Sequence, residues 1–376
     1  MAEPTFAAGL SRHPNPATAA GEVVGAVAEQ LGGPASVAVL FVAGRHIEAV
    51  ADLVDTIQTL LTPDVLIGGS AVGVAGGAEE VEDGDAVSLW AASGLTVEPV
   101  RLEALGGDPP LVMGLPDSLA DGSLLVVIAD PATMAIDAFV DQINEGPQRI
   151  AVVGGLASAS GGADRTRLIL DERILLEGAV GFVLPAGAAS TFVSQGCRPI
   201  GSPWVVTDAD GQLVKSLGGK SAMDRLSSVL DGLDASDRAA AARGLHIGVV
   251  ADEQQTEFGQ GDFLIRTLLG AERGTGAIAV GDRVEVGQVL QFQVRDAASA
   301  SEELDRLLVD AEGRSTLLFT CNGRGSHLFD EPSHDAARVH ERVPGPLAGM
   351  FCAGEVGPIA GRNAVHGFTL TAVVFA

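Results

Sequence analysis

One pattern occurs three times along this chain and limits its possible folds more than any other feature. A short apolar run is followed by an amphipathic stretch, then by a second apolar run that ends in glycines. The first copy is SVAVLFVAG, HIEAVADLVDTIQTLL and DVLIGGSAVGV. The second is SLLVVIAD, ATMAIDAFVDQINEG and RIAVVGGLASASGG, and the third is STLLFTCNGRG, HDAARVHERV and LAGMFCAGEVGPIAG. Short apolar runs bounded by turn residues predict buried strands, and the helical spacing between them predicts crossover helices. The last copy closes with one more strand, HGFTLTAVVFA, and the first with DAVSLWAAS. Glycines recur where the chain must turn with positive φ or approach another backbone closely.

This alternation predicts an α/β fold with α+β elements: two intimately packed modules of mixed sheets with helices outside. A doubly wound parallel sheet is the alternative, and the hairpin-like closing strands argue against it. Ahead of the first copy, Pro16–Leu31 is a predicted helix with Asn15 as its cap, and Gly32-Gly33 stops it. The Pro- and Gly-rich stretch EPVRLEALGGDPPLVMGLPDSLADG reads as a connection. The main boundary falls near Gly218-Gly219, giving modules 1–218 and 219–376. Beyond it, HIGVV, DFLIRTLLG, AIAVGD and VLQFQVRDA read as short strands, and ASASEELDRLLVDAEG as a helix.

Charge narrows the partners. Asp+Glu number 49 against Lys+Arg 23, a formal charge of −26. Such a surface repels nucleic acid and anionic lipid, so neither is an expected partner. A pocket lined by Arg can still take a small anion. The three cysteines, Cys197, Cys321 and Cys352, form no disulfide framework, so a reducing cytoplasm is expected. The N-terminal stretch lacks the pattern of a signal peptide, and no apolar run approaches the ~20 residues of a membrane helix. No GxGxxG, GxSxG or HExxH occurs, and no cofactor is expected.

The candidate site centres on FTCNGRGSHLFDEPSHD. A predicted strand ends here, a common place for ligand groups in α/β folds. Backbone N–H groups of Asn322, Gly323 and Gly325 could cradle an anion, and Arg324 could clamp it with both arms of its guanidinium. A glycine-flanked loop of this kind is expected near the surface of a cleft. The bland alternative is a loop-locking ion pair with a carboxylate such as Glu355. In the later glycine loop, Glu355 and His366 could read the charged ends of a zwitterion. Arg266 and Arg295 sit among apolar residues, where each is expected to meet a carboxylate or a ligand anion; Arg198, in a loop feeding a hairpin, could stand at a pocket rim. Nucleophilic use of Cys321 would need a base such as His327 in space. Cys321, His327, His334, Cys352 and His366 lack zinc spacing, and no metal is expected.

Taken together, these segments resemble a known family. FTCNGRGSHLFDEPSHDAARV and PLAGMFCAGEVGPIAGRNAVHGFT resemble the C-terminal module of the FIST (F-box and intracellular signal transduction) proteins. VLIGGSAVGV, IAVVGGLAS and QGCRPIGSPWVVTDADGQLV resemble the N-terminal module, and the remaining segments follow in order. The resemblance implies a stand-alone FIST N plus FIST C protein, a sensor of signal transduction that binds a small, amino-acid-like molecule. Its output would pass through a signalling partner, and a homo-oligomer is compatible with it. It supplies no catalytic residues. A hydrolase or transferase using Cys321 or Glu355, and an acidic scaffold protein, remain the competing classes.

Overall fold

The computed structural model describes residues 3–116, 119–159, 165–251, 255, 257–272 and 274–376. The chain divides into two compact units. One comprises Met1–Val193 with Leu307–Ala376, and the other Ser194–Arg306.

The first unit holds three copies of one topology. Copy one runs β1 (Thr5–Ser11), α1 (Pro16–Leu31), β2 (Val37–Ala43), α2 (Val50–Leu60), β3 (Val65–Ala71), the hairpin β4 (Val74–Gly76) and β5 (Glu79–Val81), then β6 (Ala86–Ser93). Copy two runs β7 (Glu98–Leu105), β8 (Leu111–Met113), β9 (Leu124–Ala129), α3 (Ile136–Glu145), β10 (Ala151–Leu156), the hairpin β11 (Leu168–Leu170) and β12 (Arg173–Leu175), then β13 (Ala179–Leu184). Copy three opens with β14 (Ala189–Ser194) and resumes after the second unit.

The second unit contains β15 (Cys197–Asp210), β16 (Leu213–Leu217), β17 (Lys220–Ser221), α4 (Ala222–Gly232), α5 (Ala235–Arg243), β18 (Leu245–Val250), β19 (Phe263–Ala271), β20 (Ile278–Val280) and β21 (Val289–Arg295), with α6 (Ala297–Leu308) following. Strands β15, β21, β18, β19, β20 and β16 pair in that order, and β16 pairs back to β15. Every pairing is antiparallel, so these six strands close a ring around Val206, Val249, Val280, Phe292 and Val294. Closure leaves the ring without an open edge.

Copy three then supplies β22 (Ser315–Cys321), α7 (His334–Arg342), β23 (Leu347–Cys352), the hairpin β24 (Glu355–Ile359) and β25 (Arg362–His366), and β26 (Leu370–Phe375). The expected strand–helix–strand units are therefore present as parallel pairs β2/β3, β9/β10 and β22/β23. In each, the closing strand β6, β13 or β26 lies antiparallel to the first member. The glycine end of copy two, at Gly161 and Gly162, lies outside the described residues.

The three sheets exchange their hairpins in a cycle. β4–β5 of copy one extends the sheet of copy three beside β23. β11–β12 of copy two extends the sheet of copy one beside β3, and β24–β25 of copy three extends that of copy two beside β10. One glycine per copy permits the tight parallel pairing. A Cβ at Gly68, Gly154 or Gly349 would overlap the carbonyl oxygen of Leu40, Val127 or Leu318 across the ladder. The inner faces share one core, in which Trp90 stacks on Phe375 with centroids 4.7 Å apart and donates to Ser315 Oγ at 2.7 Å.

One element differs from expectation. The supposed connection after residue 97 contains β7 and β8, because Val100 and Leu102 alternate inward beside β13. Its prolines fall at an edge, where a missing donor is tolerated. In the second unit Asp234 starts α5 directly after α4, its side chain accepting from Asp237 N. No helix among the described residues is long and apolar enough to cross a membrane.

Candidate functional site

The loop after β22 is built inward. Asn322 N donates to Cys352 O, and Arg324 N donates back to Cys321 O, so the chain doubles over the ends of β22 and β23. Gly325 has φ of 53°, and a Cβ there would lie 2.6 Å from Glu82 Oε2. The Glu82 carboxylate instead receives Ser326 N at 2.9 Å and Ser326 Oγ at 2.7 Å. Gly325 therefore makes room for a carboxylate from the exchanged hairpin of copy one.

Arg324 lies at the centre of this loop with 0% of its side chain exposed. The expected position near a cleft surface is overturned. Its Nε and Nη2 donate to Asp335 Oδ2 and Oδ1 at 2.7 and 2.8 Å, a bidentate pair buried on both sides. Asp335 also accepts from Thr320 Oγ1 and meets His334 Nδ1. Burial opposes the Asp335 charge, but the Arg324 guanidinium and its hydrogen bonds hold this carboxyl well below the usual range. Phe329 contacts both the Arg324 guanidinium and the His334 ring, which stacks on it at 3.5 Å. A buried charge is tolerated when it is paired and hydrogen-bonded in this way. The carboxylate that completes the pair is Asp335, not Glu355.

Glu355 begins β24 and is also fully buried. Its Oε2 accepts from Thr369 Oγ1 at 2.7 Å and Thr369 N at 3.2 Å, while Oε1 has no hydrogen-bond partner among the described residues. Burial pushes this carboxyl up to about 8, against the opposing pull of Thr369 and Arg324. Cys321 and Cys352 are register partners beside it. Burial and then the Glu355 charge push the Cys321 thiol up to about 12. His366 faces Glu355 across the hairpin and directs Nε2 at Gly357 O, 2.8 Å away.

Thus Cys321, Arg324, Gly325, Glu355 and His366 gather in one buried cluster of the first unit, while in the same loop Asn322 is exposed and Gly323 half-buried. The other three candidates, Arg198, Arg266 and Arg295, lie in the second unit, Arg295 at the end of β21. Arg198 pairs with Asp237 and with Asp296 at 3.1 Å, and Arg266 pairs with Asp282 at 2.5 Å. No group of three His, Cys, Asp or Glu among the described residues is placed to hold a metal.

An open groove of about 520 Å³ lies at the other end of the Glu355 hairpin. One wall is the end of α3 and the loop into β10, with Asn144, Gln148 and Arg149; the other is the hairpin tip, with Pro358, Gly361 and Asn363. Among the described residues Arg149 is the only charged one lining it; it is exposed and has no ion-pair partner among them. Its backbone is fixed by Asp121 Oδ1 and Gly122 N. Sequence reasoning passed over this residue, because an Arg in the turn GPQRI carries no pattern beyond a solvated loop.

Asn363 holds the two walls together. Its side chain accepts from Val152 N and donates to Ile150 O, both at 2.8 Å, continuing the β10 ladder where the hairpin backbone no longer reaches. Asn144 and Asn363 also bond each other through side chain and backbone. Asn363→Leu strands two buried backbone groups and is expected to cost roughly 2–4 kcal/mol. Urea denaturation measures this, and a loss below about 0.5 kcal/mol would contradict the role.

Two family models match this chain. The FIST N domain model covers residues 36–220 and the FIST C domain model residues 222–358. An uncharacterized protein of Mycobacterium bovis, Mb0898c, is 41% identical over 98% of this chain and 97% of its own length. An uncharacterized protein of Mycobacterium tuberculosis, Rv0628c, is 40% identical over 98% of both chains.

Proposed function

We propose that this chain, which belongs to the FIST family, binds a small polar or anionic molecule, amino-acid-like in size, in the groove between its FIST N and FIST C parts. FIST domains are associated with signal transduction and small-ligand sensing. The observation that carries the reading is the groove itself. Its volume of about 520 Å³ falls within the roughly 300–1,000 Å³ of small-molecule sites. Asn144 and Arg149 come from the FIST N match, and Pro358 ends the FIST C match. Arg149 presents an uncommitted planar fork to a carboxylate or similar anion, and the amides of Gln148 and Asn144 offer polar contacts. In this reading Arg324 serves the loop, since Asp335 already fills its fork. The occupied state would be read by a signalling partner.

The enzyme reading has less support. A nucleophilic cysteine needs an accessible thiolate, whereas Cys321 is buried and held as a thiol. A thermal-shift screen of amino acids, organic acids and nucleotides tests the proposal. A ligand of the native state at a hundredfold its Kd adds about 2.7 kcal/mol and raises Tm. Anionic compounds are expected to stabilise the wild type and to lose that effect in Arg149→Ala. Stabilisation by no small molecule would favour the scaffold class.

A further inference from the structure

The hairpin β24–β25 belongs to two places at once. Its tip, through Pro358, Gly361 and Asn363, forms a wall of the groove. Its base carries Glu355, fully enclosed, with Oε1 lacking a hydrogen bond. Between them the backbone ladder to β10 is short. Two register pairs, Gly154↔Val356 and Gly155↔Glu355, join it to β10, with bonds between Leu156 and Gly354 and between Ala353 and Leu156 at the base. Beyond Val356 the Asn363 side chain takes over the ladder.

We infer that Glu355 is a proton-dependent latch for the groove wall: the hairpin seats while this carboxyl is neutral and lifts when it ionises. This rests on the groove reading as the function, but its physics comes from the surroundings of Glu355. From β22 it faces the Cys321 thiol, and from β23 the Cys352 thiol, whose own shift upward follows burial and then the Glu355 charge. Arg324, in the loop after β22, attracts an ionised Glu355, but that guanidinium is committed to Asp335. His366 on β25 spends Nε2 on Gly357 O. The facing part of β10 is Gly154, Gly155 and Leu156, without charge. On the approach to β26, Thr369 donates to Oε2 from both its backbone N and its Oγ1. An ionised carboxylate seated here is favoured by Thr369 and by the Cys321 thiol, and the Arg324 guanidinium that attracts it is committed to Asp335. Lifting the hairpin base into water removes the penalty of burying that charge, and works against the burial of Val356, Ile359 and Ala364 and the Asn144–Asn363 bonds that seat the hairpin. Burial that pushes Glu355 up to about 8 puts the transition within the range where proteins are handled. By linkage, whatever seats the tip also favours the proton on Glu355.

The test needs no ligand, so its failure is distinct from a failure of the screen. Hydrogen exchange is followed on wild type, Glu355→Gln and Thr369→Val between pH 5.5 and 9, with rates corrected for intrinsic exchange. The readouts are the hairpin peptide and the Val152 amide, which Asn363 protects. In the wild type, protection of both is expected to fall at least about tenfold from pH 5.5 to 8 and then level off, since one proton bounds the change at tenfold per pH unit. Glu355→Gln should hold its protection flat across the range. Thr369→Val removes a donor to the carboxylate, so the fall should continue past pH 8. A flat wild-type profile, or the same fall in Glu355→Gln, would overturn the latch. So would loss of hairpin protection that leaves the Val152 amide unchanged. Should Glu355→Gln fail to fold, the displaced profile of Thr369→Val decides alone.

Discussion

Arg324→Ala lowers the unfolding free energy of the ligand-free protein by about 3–5 kcal/mol, the cost of leaving one member of a buried ion pair uncompensated. Asp335 would keep Thr320 and His334 but lose both guanidinium bonds in a site with no exposed surface. The cavity left beside Phe329 adds to the loss. Arg324→Lys keeps the charge but not the planar fork, so a smaller loss of about 1–3 kcal/mol is expected. Calorimetry at pH 6 should show a Tm drop on the order of 10 °C for the alanine variant. A drop of only a degree or two would mean that Asp335 finds other partners.

Stability should also fall as pH rises, in the opposite sense to ordinary acid denaturation. Burial pushes Glu355 up to about 8, and burial with the Asp335 charge pushes Glu80 up to about 8 from the ordinary 4.5. A raised carboxyl favours the folded state in its neutral form. That contribution is complete below about 4.5 and is lost as pH rises through about 8. Asp335 is shifted the other way, so its contribution disappears only in strong acid. The Tm difference between Glu355→Gln and wild type should therefore grow in favour of the variant from pH 5 to 8, then stay constant. Glu80→Gln should behave alike, except that its Oε1 holds the first turn of α7 through Ala336 N. A difference independent of pH would show that these carboxyls ionise in the folded protein as they do in water.

The three strand–helix–strand units were legible because period, length and glycine position agreed within each segment. Helix α1 was legible to its caps, since Asn15, Pro16 and Gly32 act locally. The hairpin exchange was not. Strands such as β4 and β11 have three residues, and their partners lie roughly a hundred to more than two hundred and fifty positions away. Nothing in so short a run specifies which sheet it completes. The Arg324 loop was found from its composition, but its depth was misjudged. Flanking glycines suggest exposure, whereas here Gly325 admits Glu82 and Asp335 neutralises the Arg. Asp335 itself was visible only as an acidic residue opening a helix. Arg149 and Asn363 had no signal, because their roles depend on two segments more than two hundred residues apart in sequence.

The most direct test of the ligand-binding account is a calorimetric titration of the first stabilising compound into wild type, Arg149→Ala and Arg324→Lys. The account predicts at least a roughly tenfold loss of affinity for Arg149→Ala, the value of one charge-assisted contact of about 1.4 kcal/mol or more. It predicts near wild-type affinity for Arg324→Lys at a temperature where that variant is folded. Affinity kept in Arg149→Ala and lost in Arg324→Lys would move the ligand to the buried cluster and contradict the account.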